Sequence, residues 1–219
     1  EYRVRSRDPH VVSYRGAHLT TNPPPSFGGS IVCAALQELE LAGGDGGPSA
    51  RMLVEALHHA TNTQKSSAPA SVKGTTHVSV IDSDGMVASM TTSNGSCSGV
   101  LVPGTGVQLN NMMGEEDLHP DGFHAASPGT RVASMMAPSL LDLPDGSVVA
   151  IGSGGSERIR SALLQAVTHL VAGRPLDEAV AAPRVHFDGT ACQLEPGVPD
   201  AVAAELSIRP KVKVVVPGG

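Results

Sequence analysis

The residues best suited to covalent chemistry stand in Gly74-Thr75-Thr76-His77. A threonine that follows a conformationally free glycine can attack its own preceding carbonyl. If that bond breaks, the threonine becomes a new N-terminus with its amine beside its own hydroxyl. An amine placed there activates the hydroxyl as a nucleophile. By itself the tetrapeptide is far more often the start of a Thr-rich exposed strand. Two further stretches offer what such a nucleophile needs. Gly152-Ser153-Gly154-Gly155-Ser156-Glu157-Arg158 joins an expected strand to an expected helix. Its backbone N–H groups can hold an oxyanion. The same turn is compatible with phosphate, but neither a Walker lysine nor an acidic ribose partner stands at the right spacing. Asn110-Asn111, followed by Glu115-Glu116-Asp117, sets carboxylates beside two amides. Such a run is ordinarily a solvated loop; it can also hold a cationic group of a ligand.

These groups have to be carried by regular elements. In Gly74 to Asp82, Val78 and Val80 alternate with His77, Ser79 and Ile81, the pattern of a strand. Ser83-Asp84-Gly85 supplies a turn, and Met86 to Ser93 reads as the return strand. Thr61 to Lys73, rich in Ser, Ala and Thr, reads as flexible, as a cleavage site just downstream would require. Residues 1–22 read as polar and irregular apart from a strand at Ala17 to Thr20. Pro23-Pro24-Pro25-Ser26-Phe27-Gly28-Gly29 is extended, and its glycine pair ends the extension. A helix capped by Ser30 is expected to run to Leu41, and a second from Pro48 to Ala60 with Met52, Leu53, Ala56 and Leu57 on its stripe. Adjacent residues on a helix diverge, so His58 and His59 are helix-end residues and not a metal pair.

Downstream, Asn94 to Gly99 is a loop of small residues, and Val100 to Leu109 reads as strand, turn, strand. Arg131 to Leu141 leads into a strand; Asp145-Gly146 turns the chain into another over Ser147 to Ile151. A helix follows over Ile159 to Ala172, with Ile159, Leu163, Ala166, Val167 and Leu170 on one stripe. Leu176 to Ala182 is a short helix stopped by Pro183. Arg184 to Phe187 and Gln193 to Glu195 pair as strands, and Lys211 to Gly219 carries a last one.

With 219 residues the chain has room for one domain or one and a half, and for a sizeable core. Aromatic residues are only 2%, so that core must be built from Ala, Val, Leu, Ile and Met. Charged residues are 16%, low for a solvated domain, which suggests that something else covers part of the surface. The net charge of −6 and the absence of a basic block argue against nucleic acid. No apolar run reaches membrane-spanning length. Cys33, Cys97 and Cys192 fit neither a disulfide framework nor metal spacing. The first residue is Glu1 and no signal peptide is visible, as expected of a chain processed or cut from something longer. Cytoplasm, periplasm and secretion all stay open.

Several stretches together resemble the γ-glutamyltranspeptidase family, as its small subunit preceded by the tail of its large subunit. They are Tyr14-Arg15-Gly16; Pro23 to Gly29; Thr75 to Asp82; Gly104-Thr105-Gly106 through Asn111; Arg131 through Ser134 and Pro138; Gly152 through Ile159; and Ala179 through His186. They follow the family's order and cover most of residues 14–190.

The resemblance implies an α+β N-terminal-nucleophile hydrolase, an αββα four-layer sandwich, here partial. Residues 1–74 would be the large-subunit-like tail and 75–219 the catalytic, small-subunit-like part. The precursor would cut itself between Gly74 and Thr75. Thr75 would be the nucleophile, Ser93 its hydrogen-bond partner, and Gly154 with Gly155 the oxyanion hole. Asn94 with Glu115 or Glu116 would hold the donor's α-amine, and Ser134 would lie near its carboxylate. The implied reaction is γ-glutamyl transfer or hydrolysis on glutathione-like donors, without metal or organic cofactor. The implied partners are the small-molecule donor and the missing large-subunit portion. A cephalosporin or glutaryl acylase on the same fold and an inactive partner-binding fragment are the alternatives. Departures from the pattern are a shorter loop after Ser93, glutamate for aspartate in the acidic motif, Ala133 for the first of two serines, and no proline before the glycine pair. The arginine expected on the donor carboxylate has no counterpart here.

Overall fold

A computed structural model describes residues 3–44, 46–63, 75–115, 118–119, 122–207 and, for the backbone alone, 213–215. Strands β1 (His10–Tyr14) and β2 (Ala17–Thr21) form a hairpin. Its turn, Arg15-Gly16, has φ of 49° and 79°, the left-handed pair whose twist suits a two-residue connection. β2 pairs with β5 (Ser139–Asp142), and β5 with β6 (Val148–Ile151), all antiparallel. The resulting sheet has the order β1-β2-β5-β6.

Helices α1 (Phe27–Ala42), α2 (Ala50–Thr63) and α3 (Arg158–Val171) close the main core. Leu19 and Leu141 from the sheet meet Ile31 and Leu36 of α1 and Ile159, Leu163, Leu164 and Val167 of α3. The core therefore draws on both sides of Thr75. A smaller core gathers Val54 of α2, Val185 of β7 (Val185–Phe187), Cys192 and Leu194 of β8 (Ala191–Leu194), and Leu206 of α5 (Asp200–Ser207). Strand β9 (Lys213–Val215) runs parallel to β8. Helix α4 (Leu176–Ala181) adds Ala179 to the main core. The remaining hairpin, β3 (Thr75–Ile81) with β4 (Val87–Ser93), is a two-stranded sheet lying against β6.

Four expectations change. Helix α1 begins at Phe27, so Ser26 stands at its N-cap position and Ser30 is buried, its Oγ 3.3 Å from His10 Nδ1. The glycine pair lies inside the first turn because neighbours leave no room for side chains. A Cβ on Gly28 would overlap the Met135 carbonyl, and one on Gly29 would lie 2.6 Å from Thr21 Oγ1. Strand β1 forms within a segment that reads as irregular, because pairing with β2 buries Val12 and Tyr14. Helix α5 has no sequence expectation behind it. Residues 100–109 carry the bridge Leu101–Gln108, the backbone bonds from Val102 N–H to Val107 and from Leu109 N–H to Val100 on either side of it, and a turn bond from Thr105 N–H to Val102, too few for regular strands.

Helix α2 runs on through Thr63, so Thr61 to Thr63, the start of the stretch expected to be flexible, are helical; the rest of that stretch and Gly74 lie outside the described residues. His59 pairs with Glu38, and His58 meets the edge of Phe187. Among the described residues, no group of three or more His, Cys, Asp or Glu could hold a metal ion. None of their helices is long and apolar enough to cross a membrane. All three cysteines are free.

Candidate active site

The register of β3 on β4 sets Thr75 opposite Ser93, His77 opposite Thr91, and Ser79 opposite Ser89. Directly opposed residues share a face, so this side of the hairpin is a ladder of polar rungs. At its open end the Thr75 hydroxyl donates to Ser93 Oγ at 3.3 Å, and the Gly95 N–H reaches the same oxygen at 3.0 Å. On the next rung His77 Nδ1 lies 2.9 Å from Thr91 Oγ1, and its Nε2 lies 2.9 Å from Ser79 Oγ. Burial pushes the His77 imidazole below its ordinary range, favouring the neutral ring. Two hydroxyls then hook the hairpin to β6, Ser79 onto the Ala150 carbonyl at 3.2 Å and Ser89 onto that of Ile151 at 3.3 Å.

This docking brings up the glycine turn that follows β6. Gly152 lies flat against the His77 ring, where any Cβ would overlap it. A Cβ on Gly154 would stand 2.6 Å from the Thr75 carbonyl oxygen. Gly155 has φ of 111°, a conformation that residues with side chains rarely adopt. Among the described residues, no protein acceptor takes the N–H of Gly154 or Gly155. The turn thus presents bare backbone donors beside the β3 terminus.

In the acidic segment Glu115 folds inward. Glu115 is 5% exposed, and its Oε1 accepts the Ser96 N–H at 2.7 Å. Asn111 Oδ1 shares that N–H at 3.0 Å. Both oxygens occupy the space that a side chain at position 95 would fill, 2.5 and 2.6 Å from its Cβ, so Gly95 is required. Ser134 arrives from the other side. Its carbonyl accepts the Phe27 N–H at 2.8 Å, and its Oγ lies 3.0 Å from Ser26 Oγ. The proline-rich segment therefore holds Ser134 in place.

A cavity of about 40 Å³ joins Thr75, Ser93, Gly95, Glu115, Ser134 and Ser156. Asn94 is not among its walls. The Asn94 side chain is exposed, and its carbonyl closes the loop by accepting the N–H of Cys97 at 3.1 Å and of Asn111 at 3.2 Å. Glu116 and Asp117 lie outside the described residues. The sequence reading gives Gly95 and Ser156 no individual place in the site, and Asn111 only as one of two amides beside the acidic run. The signals for Gly95 and Asn111 are a glycine one residue past Asn94 and an amide four before Glu115; Ser156 has only its place after the glycine pair.

The family described as gamma-glutamyltranspeptidase matches residues 49–216. The Acylase ACY 1 proenzyme of Pseudomonas sp. (strain SE83) is 34% identical over 258 residues, covering 95% of this chain and 46% of that protein. The Glutathione hydrolase proenzyme of Bacillus subtilis (strain 168) is 36% identical over 137 residues, 61% of this chain and 23% of that protein. Among solved structures, the transpeptidase enzyme CapD of Bacillus anthracis superposes with a TM-score of 0.50 at 28% identity, over 64% of this chain and 78% of its own. A variant of LmbA2991 superposes with a TM-score of 0.75 at 17% identity, over 97% of this chain and 50% of its own, a likeness of fold alone. The chain spans about half the length, or less, of the curated relatives it matches.

Proposed function

The chain belongs to the gamma-glutamyltranspeptidase family, and from that premise we propose that Thr75, freed as a new N-terminus, is the nucleophile of an amide-cleaving acyl transfer. The observation that carries this is the single cavity into which Thr75, Ser93, Glu115 and Ser134 converge beside the Gly154-Gly155 turn. The free α-amine of Thr75, with an ordinary pKa of about 7.7–8, accepts the hydroxyl proton. The oxygen attacks the substrate carbonyl. The Gly154 and Gly155 N–H groups stabilise the oxyanion. The protonated amine then returns its proton to the departing nitrogen, leaving an acyl-Thr75 ester that water or an acceptor amine resolves. Ser93 keeps the nucleophile oriented. In this reading residues 75–219 are the catalytic part and 1–74 the end of a larger preceding part, with cleavage between Gly74 and Thr75.

The donor we favour is a γ-glutamyl amide, as in glutathione. Glu115 is a buried carboxylate at the cavity wall, and a buried carboxylate is best matched by a cation such as an α-ammonium group. In this reading Ser134, on the cavity wall, meets the donor's carboxylate end. The rest of the precursor is the expected partner. Val78, Val80, Met90, Leu101 and Val107, all 42–61% exposed, form apolar surface of the kind such a partner would cover. A second reading has its own support: the acylase proenzyme covers 95% of this chain at 34% identity, so a glutaryl-type donor stands as the competitor.

One assay separates the two. On the complete, matured protein, kcat/KM is measured for a γ-glutamyl amide and for the glutaryl amide that differs only by the missing amine. A site built around the ammonium rejects the glutaryl analogue by about 10²-fold or more, because the charge-assisted contact between the ammonium and the Glu115 carboxylate is then lost. Equal values favour the acylase reading and leave Thr75 as nucleophile.

A further inference from the structure

The wall of the cavity that holds Thr75 carries four hydroxyl side chains, those of Thr75, Ser93, Ser134 and Ser156. Three of them have protein partners: Thr75 and Ser93 hydrogen-bond each other, and Ser134 meets Ser26. The Ser156 hydroxyl makes no hydrogen bond with any described residue. The other serine of the same turn shows the contrast, since Ser153 Oγ donates to the Gly154 carbonyl at 2.9 Å. Ser156 is half-buried, and its neighbours on the wall include the apolar Met112, Met135, Met136 and Ile159. Its hydroxyl is thus a donor held among groups that cannot use it, where a hydrogen bond to a ligand is stronger than in water.

The backbone gives an independent reason to ask what this side chain does. Ser156 has φ of 55°, in the left-handed region. Its carbonyl accepts the Ile159 N–H at 3.2 Å, which ties that conformation to the first turn of α3. Glycine reaches such a φ without steric cost, and a residue with a Cβ does not. A turn that needed only to bend would be better served by a third glycine after Gly154 and Gly155. The chain keeps a side chain at a strained position on the wall of the site, and strain of that kind points to use.

We propose that Ser156 is a further catalytic residue, its hydroxyl a side-chain donor to the oxygen of the acyl carbonyl. The inference rests on the acyl-transfer reading above and extends it. As the Thr75 oxygen adds to the carbonyl carbon, the C=O π pair moves onto the carbonyl oxygen. Gly154 and Gly155 offer N–H groups to that oxygen from the turn; Ser156, the next residue, reaches it from the acyl side. The proton of its O–H is shared with the oxyanion but stays on Ser156 as the intermediate collapses to the acyl-Thr75 ester. The contact is strongest when the charge is on the oxygen, so it lowers the barrier rather than tightening donor binding.

The test compares wild type with Ser156→Gly and Ser156→Ala in the complete, matured protein, on whichever of the γ-glutamyl and glutaryl amides it turns over. Ser156→Gly removes the hydroxyl and relieves the backbone, so the fold is kept. Both variants should lose about 10²-fold in kcat with KM near the wild-type value. A purely structural serine gives another order, with the glycine variant as active as wild type and the alanine variant impaired. Wild-type kcat in Ser156→Gly, or a loss confined to KM, overturns the proposal. Equilibrium titration with glutamate and glutarate, the acids that the two donors would release, gives a readout without turnover. A carboxylate oxygen then lies where the carbonyl oxygen does, and losing the hydroxyl should weaken binding about tenfold. That weakening in both variants supports Ser156 even if neither amide is cleaved, in which case only the acyl-transfer reading fails. If neither amide is cleaved and acid binding is absent or ignores both substitutions, the role of Ser156 is overturned as well.

Discussion

The β1-β2-β5-β6 sheet and the β3–β4 hairpin are written in similar alternating sequence, yet they meet opposite surroundings. In β2, Ala17, Leu19 and Thr21 are buried beneath α1 and α3. In β3, Val78, Val80 and Ile81 are 42, 53 and 60% exposed. Among the described residues helices close the first sheet and nothing closes the outer face of the second. The hairpin is fixed instead by its own ladder, by two serine hydroxyls on β6, and by glycines that let backbone come close. Stability is therefore concentrated in one region, and the proposed nucleophile lies in the other. A strand end that must react cannot be sealed inside a core.

Breaking the reactive side should have the largest effect. Thr75→Ala in the full precursor removes both self-cleavage and turnover, a loss on the order of 10⁴-fold or more; electrophoresis for the split and a donor assay check it. Turnover with the Gly74–Thr75 bond intact would refute the N-terminal-amine mechanism. Gly154→Ala forces a Cβ to within 2.6 Å of the Thr75 carbonyl, which should displace the proposed oxyanion donors. Its kcat should fall about 10²–10³-fold, while Gly47→Ala, which meets nothing within 4 Å, should leave kcat unchanged.

The next comparison sets stability against stability, again in the complete protein by denaturant unfolding. Leu36→Ala in α1, at 0% exposure, should cost about 2–5 kcal/mol. Val80→Ala should cost within about 0.5 kcal/mol if the hairpin face is solvated. It should cost more than about 1 kcal/mol if the rest of the precursor covers that face. A separate effect concerns pH. His186 titrates near 6.5 when unfolded and about 4 when folded, where burial and then the Arg160 charge push it down. Its contribution is complete above pH 6.5 and is lost as pH falls from there toward 4, by about 3 kcal/mol at most. Melts between pH 7 and pH 4.5 should show this slope, and His186→Gln should flatten it. His77, also lowered but half open to water on the hairpin, should contribute less.

Much of this was legible in the sequence because it is local. Alternation over residues 75–81, the apolar stripe of residues 159–170 and the glycine-rich turn at 152–155 depend on neighbours a few positions apart, and backbone geometry fixes what such neighbours share. The ordered set of segments likewise pointed to the family before any fold was in view. Tertiary structure decided what depends on distance along the chain. Gly28-Gly29 reads as the end of an extended segment until Met135 is packed against it. Asn94 reads as a binding residue until the loop turns its side chain out and Asn111, 17 positions later, takes the inner place. Glu115 looks like one carboxylate in a solvated acidic run; only the fold buries it beside Gly95 and Thr75. Sequence pattern tells which way a side chain alternates, but what it meets is set by which distant backbone can approach closely enough to fill the space.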